Sequence, residues 1–266
     1  MSAFGDLSDG FKQVFTYRKH GTAVKGYIEV ELQEENILIR DRKDRFLSWD
    51  MLGIYLWVRN HNSLLNKDQT QIVHSLRFPK GSPGFITSVL YVPRLRVFVA
   101  TALDMSFKIY NRQLNLVESI SHEERALLSV LYDAARDVIV ISGARGVSLW
   151  KLSRPTLTRE AEHTMERTHV FVELTEVWVN SMQLESNAGH IYALSNTSAY
   201  ILSMTSGKVL YNMKNIHEFA VKCICWYGRS SFFLTGCAAG QIKCWTSYQY
   251  KGGKGNTQHS NSTRNA

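Results

Sequence analysis

"ALLSVLYDAARDVIVISGARGVSLWK", Ala126 to Lys151, packs three short apolar runs into one stretch. The runs are rich in Val, Ile and Leu and are separated by "DAAR" and "ARG". Runs of this length, β-branched and bounded by turn-forming residues, read as strands and not as a helix. The middle run, "VIVI", is apolar at successive positions, so both faces of that strand are to be buried. Strict alternation would have pointed to a sheet with one wet face. The first run closes on Tyr132 and the third on Trp150, 18 residues later.

The same outline recurs. "FITSVLYVPRLRVFVATALDMSFKIYN" (Phe85 to Asn111) runs from Tyr91 to Tyr110, and "AVKCICWYGRSSFFLTGCAAGQIKCWT" (Ala220 to Thr246) from Trp226 to Trp245, 19 residues in each case. Two weaker copies fit the frame. Tyr27 to Asp50 places Val30 and Trp49 at 19 residues, and Met182 to Met204 places Leu184 and Leu202 at 18. The closing positions are then 49, 110, 150, 202 and 245. A period of about 40–45 residues, built of short strands and turns, is the signature of four-stranded propeller blades. The two long intervals call for insertions, one at residues 60–71 and one at 153–169, the latter with room for a short helix or an ordered loop.

These residues resemble the WD-repeat family. "SWD" (Ser48 to Asp50) supplies its Trp-Asp pair, His217 stands four residues before Val221 and nine before Trp226, and Asp104 falls six before Tyr110. His122 and His20 are further candidates for the family's leading His. The resemblance covers residues 20–246 and implies an all-β fold: a β-propeller of four-stranded blades, about five of them recognisable. It also implies that the His, Ser/Thr, Asp and Trp are structural, tying each blade's loop to its inner strands by buried hydrogen bonds. In the last copy the members would be His217, Thr235 and Trp245, with Ala239 at the Asp position, leaving His217 without a charged partner. In the first copy Asp44 stands one residue off register. The family most often closes with seven blades, so five point to an incomplete ring (a fragment, an isoform or part of a longer protein), with a ring of five blades as the alternative. The last copy lacks a recognisable fourth strand after Trp245. On this reading residues 1–19 are a lead-in, 20–246 the propeller and 247–266 a disordered polar tail.

The chain has 266 residues, 44% of them hydrophobic, enough to bury a sizeable core. No apolar run reaches the ~18–20 residues that span a bilayer, and "MSAFGDLSDGFKQVF" has no cationic start before an apolar block. The expected setting is the cytoplasm, with the nucleus, cilium or cytoskeleton as alternatives. The four Cys, at 223, 225, 237 and 244, include no C-x-x-C pair and are expected to be small buried hydrophobes on strands. The net charge of +8 owes three charges to Lys251, Lys254 and Arg264 in the tail, and "RDRKDR" (Arg40 to Arg45) mixes bases with acids as a solvated turn does.

No nucleophile elbow, H-E-x-x-H, P-loop or dinucleotide fingerprint occurs. His163 and His169 read as members of a solvated loop, and Trp57 and Trp178 as core residues of strands. No catalytic, cofactor-binding or metal-ligating residue is therefore expected, and no cofactor. The function expected is a non-catalytic scaffold that binds other proteins, with the two insertions as candidate contact points. The alternative is a basic surface for nucleic acid or acidic lipid, recognisable by salt-sensitive binding.

Overall fold

A computed structural model describes residues 20–30, 43–62, 67–78, 85–121, 126–153, 163–226 and 232–246. They form five antiparallel sheets, or blades, each a meander in chain order. Blade 1 is β1 (Gly26–Glu29), β2 (Lys43–Asp50), β3 (Gly53–Asn62) and β4 (Lys67–Arg77). Blade 2 is β5 (Ile86–Val92), β6 (Val97–Ala102), β7 (Ser106–Tyr110) and β8 (Leu116–Ser121). Blade 3 is β9 (Leu127–Asp133), β10 (Val138–Gly143), β11 (Gly146–Ser153) and β12 (Thr164–Val170). Blade 4 is β13 (Ser181–Glu185), β14 (His190–Ser195), β15 (Ser198–Ser203) and β16 (Lys208–Met213). Blade 5 has three strands among the described residues: β17 (Val221–Trp226), β18 (Phe232–Cys237) and β19 (Ile242–Thr246). A single 3-10 turn, Val172–Leu174, lies between blades 3 and 4.

The first strands of successive blades lean on one another, β1 on β5, β5 on β9, β9 on β13 and β13 on β17. Each blade therefore has a front face, toward the blade before it, and a back face, toward the blade after it. The apolar strands read from the sequence are the ones sandwiched in this way; all six residues of β6 are buried. The core is accordingly divided into four joints. Leu47, Ile54 and Leu56 on the back of blade 1 meet Phe98 and Tyr110 on the front of blade 2. Val99 and Ile109 on the back of blade 2 meet Ile139 and Trp150. Val140 and Leu149 meet Ile191 and Leu202, and Leu194 and Ala199 meet Val221, Ile224 and Trp245. Each such fully buried side chain contributes roughly 1.5–3 kcal/mol. No comparable packing joins the described parts of blades 5 and 1, so the blades form an open arc and not a closed ring.

The closing residues Tyr110, Trp150, Leu202 and Trp245 all lie on third strands, as the repeat requires. Trp49 does not. It sits on β2, opposite Ile54 of β3, and its ring fills the space that a side chain at Gly26 would need. The residue equivalent to Trp245 is Trp57, which pairs with Phe46 as Trp245 pairs with Phe233. The sequence pattern misleads here because the β2–β3 turn is tight, with Asp50 paired directly to Gly53. A strand with a Trp near its end then imitates a third strand. The two insertions are also partly resolved into regular structure. Residues 60–62 and 67–71 belong to an extended β3–β4 hairpin, and 164–170 form β12, the fourth strand of blade 3; residues 63–66 and 154–162, the latter holding most of the room for a short helix or ordered loop, lie outside the described ones.

A register shift accompanies the closing residue in every four-stranded blade. It falls between Leu56 and Trp57, Ile109 and Tyr110, Leu149 and Trp150, and Ile201 and Leu202, always against the fourth strand. The extra residue on that strand is Val73, Val117, Thr168 or Leu210. This shared β-bulge marks Trp57 as the true equivalent in blade 1.

Candidate interaction faces

The polar residues singled out in the sequence are gathered into hydrogen-bond chains within the blades. In blade 1, His20 Nε2 lies 2.9 Å from Ser48 Oγ, which also accepts from Trp57 Nε1 at 2.8 Å. His20 Nδ1 lies 3.2 Å from Asp50 Oδ2. The same carboxylate accepts from the backbone N–H of Gly21, Thr22 and Leu52. Burial pushes the Asp50 carboxyl up, but the backbone donors of Leu52 and Thr22, then His20 and Gly21, outweigh it and hold the group below the usual carboxylate range. The acid that completes this chain is thus Asp50, two residues after Ser48; Asp44 is placed on β2, paired with Arg59.

Blade 5 repeats the geometry with one exchange. His217 Nε2 lies 2.8 Å from Thr235 Oγ1, and Trp245 Nε1 donates to the same oxygen at 2.8 Å. The partner of His217 Nδ1 is the neutral amide oxygen of Gln241, at 3.1 Å. His217 thus has no charged partner, as the absence of an acid at Ala239 implies, and a neutral amide takes the acid's place. Phe46 stacks on Trp57 and Phe233 on Trp245, with ring centroids 5.9 and 6.3 Å apart. The shared signal, a Phe two residues before the Ser or Thr and a Trp nine or ten after it, is visible in the sequence once the two blades are aligned.

Among the described residues the middle blades do not repeat this chain. Asp104 lies in the expected turn but binds locally, accepting from Ser106 and from Lys108 Nζ at 2.6 Å. Burial raises its carboxyl, and the Lys108 and Ser106 hydrogen bonds more than reverse this, leaving it below the usual range. Trp150 Nε1 donates to Ser148 of its own strand. His122 lies outside the described residues. His163 and His169 are not in a solvated loop. His163 is buried beside Glu118, to which its backbone N–H donates at 2.7 Å, and His169 lies on β12, 2.9 Å from the carbonyl of Gly207. Among the described residues no group of His, Cys, Asp or Glu converges as metal ligands would.

What the described surface offers instead is contact area, and the two ends of the arc differ in kind. In an antiparallel meander, the second turn of a blade and the connections to its neighbours leave from one end, and the first and third turns from the other. The connection end carries Leu103 and Met105 in the β6–β7 turn, Val172 and Trp178 between β12 and β13, and Phe219 between β16 and β17, all exposed. Trp178 is 55% exposed, so it is a surface residue and not the core residue expected from "EVWVN". The hairpin end is polar and internally tied. Arg94 bridges blades 2 and 3 through Asp137 at 3.0 Å and the Leu152 carbonyl at 2.8 Å, and Arg136 bridges blades 3 and 4 through Asp133 and the Ser186 carbonyl. Asp137 also accepts from Tyr132, whose hydroxyl is pushed up to about 12 by burial and by that carboxylate.

The front of blade 1 holds a cleft of about 540 Å³ lined by Val24, Tyr27, Glu29, Phe46 and Trp57, among others. The back of blade 5 presents Leu234, Ile242 and the thiols of Cys223, Cys225 and Cys244. Of the four cysteines only Cys237 is buried, because three fall on the face that no following blade covers.

No family model matches the sequence, and no curated protein matches it. Solved structures do. The β-propeller domain of Cps50 (Swd1) from Myceliophteria thermophila superposes with a TM-score of 0.57 at 10% identity, over 77% of this chain and 67% of that one. The WD40 β-propeller domain of Doa1 superposes with a TM-score of 0.54 at 12% identity, over 86% of this chain and 67% of that one. The chain has the fold of a WD40 β-propeller, an all-β array of blades, here as an open arc. No described helix is long and apolar enough to cross a membrane.

Proposed function

We infer that the protein is a non-catalytic scaffold that binds another protein through the connection end of its arc. One observation carries this reading: Leu103, Met105, Val172, Trp178 and Phe219, from three separate loops, are exposed at that one end. Exposed apolar side chains gathered in this way mark interaction sites. The described hairpin-end turns carry no large exposed apolar residue and spend their charges on linking blades. The His, Asp and Trp residues that could have suggested chemistry are engaged in holding blades together. Both insertions leave from the hairpin end, which makes them the weaker candidates for the contact.

The test is co-purification from cells of the wild-type chain, a Trp178→Asp/Phe219→Asp variant and a chain lacking residues 154–162. Loss of most partner recovery in the double variant, with the deletion unaffected, is the expected result; aromatic anchors of this kind commonly contribute 2 kcal/mol or more, about thirtyfold. Full recovery with the double variant overturns the reading.

A further inference from the structure

We propose that the connection end takes a basic segment of a partner protein, one that carries apolar side chains among its Lys and Arg, seated across the connections that enter blades 4 and 5. This rests on the scaffold reading and adds the chemistry of the partner to it. The two connections match in sequence: "LTEVWV" (Leu174 to Val179) leads to β13 and "IHEFAV" (Ile216 to Val221) runs into β17. They match in structure too. Leu174 and Ile216 are buried, as are Val179 and Val221. The Val179 N–H donates to the Gly143 carbonyl at 3.0 Å and the Val221 N–H to that of Asn196 at 2.7 Å, each at the second turn of the preceding blade.

Anchored at both ends, each connection holds the residues between its anchors in place. Glu176 and Glu218 occupy the same position in the two connections, and both are exposed. Each has an exposed aromatic within two residues, Trp178 and Phe219. Glu173, three residues before Glu176, is exposed as well. β13 and β17 are in contact, so the two Glu–aromatic units stand at the entries of strands that meet. Asp50, Asp104, Asp133, Asp137 and Glu185 each accept from an internal side chain. Glu173, Glu176 and Glu218 have no such contact among the described residues, and the exposed bases of the flanking segments, Arg145, Lys214 and Lys222, form no ion pair with them.

An apolar surface set among carboxylates selects a partner whose apolar side chains alternate with Lys or Arg. The aliphatic stems of such residues lie along aromatic rings while their charged heads reach for the glutamates. A cation over the Trp178 ring adds its attraction to the π face. The chain as a whole carries +8, so its long-range field favours anions, and attraction for a cationic segment has to come from the local carboxylates. Charges at the edge of a contact set association rate and choice of partner more than affinity. The aromatic anchors supply the rest.

Fluorescence anisotropy of the full-length protein with three short labelled peptides tests this: repeats of Lys-Leu-Ser, of Gln-Leu-Ser and of Glu-Leu-Ser. The wild type is expected to bind the Lys peptide about fivefold more tightly than the Gln peptide at low salt, and the Glu peptide least. The margin between the first two should shrink as salt is raised. Glu176→Gln/Glu218→Gln, at exposed positions where the fold has little to lose, should erase that margin and leave the Gln peptide unaffected. A Lys peptide that binds no better than the Gln peptide, or a margin that survives in the double variant, overturns the proposal. So does a labelled oligothymidylate that binds the wild type and is weakened by Trp178→Asp/Phe219→Asp, which would assign the surface to nucleic acid. Partner recovery from cells separates this proposal from the scaffold reading. Loss with Trp178→Asp/Phe219→Asp but none with Glu176→Gln/Glu218→Gln leaves the scaffold reading standing and overturns this one, whereas loss with both supports the two together.

Discussion

Blades 1 and 5 contain the same His–hydroxyl–Trp chain, and they finish it with different chemistry. In blade 1 the His is anchored by Asp50, a carboxylate that also gathers three backbone N–H groups of the adjoining loop. In blade 5 the anchor is Gln241, whose amide oxygen serves His217 alone among the described contacts. The charged version locks a loop to a sheet, whereas the neutral one orients a single ring. The difference teaches that the Trp and the hydroxyl set the position of the strands, while the third member sets how firmly the preceding loop is held.

Removing Asp50 should have the largest effect. Asp50→Ala leaves the N–H groups of Gly21, Thr22 and Leu52 without their acceptor, a cost of about 3 kcal/mol, given ~1.5–3 for a hydrogen bond to a charged group. Hydrogen exchange resolved along the chain should show the loss in β1 and β2, with β17–β19 unchanged. Equal losses in both blades would erase the distinction.

Acid should act in the same direction. The folded Asp50 carboxyl is held below its ordinary value, so it contributes stability that is fully present above about pH 4 and is lost as the pH falls through the folded value. Asp104 is depressed too. Exchange protection should therefore fall in blades 1 and 2 on acidification, while the Gln241 network of blade 5 holds. A uniform loss across all five blades would count against the assignment. Gln241→Ala should cost blade 5 about 1 kcal/mol, one neutral hydrogen bond, read as a shift in the exchange of β18 and β19. The smallest expected effect sharpens the comparison: Gln241→Glu should add about 0.5 kcal/mol at neutral pH and make blade 5 acid-sensitive like blade 1.

Much of the fold could be read in the chain because propeller strands are short, apolar on both sides and closed by a bulky residue at a fixed interval. Tyr110, Trp150, Leu202 and Trp245 all stand where that spacing puts them. Trp49 imitates a closing residue because a tight turn puts an aromatic near the end of the wrong strand, and it takes the pairing of Phe46 with Trp57 and the bulge beside Trp57 to show it. Gln241 could not be anticipated from a motif that asks for an acid, although an amide oxygen accepts the same proton. The exposure of Trp178 and of three cysteines was invisible for another reason. Burial of a strand-like segment depends on whether a neighbour covers it, and that is a property of the whole arc and not of the segment.

The bulge beside each closing residue has a further consequence at the outer rim. Fourth strands have one free edge, and an array of such edges would be a template for adding strands from other molecules. An extra residue at the same height in β4, β8, β12 and β16 interrupts the hydrogen-bond ladder and increases the local twist. It also turns Val73, Val117 and Leu210 outward, which accounts for their exposure. The rim is thereby protected against amyloid-like stacking by backbone geometry repeated in every four-stranded blade, without proline and with few charges at the bulges themselves.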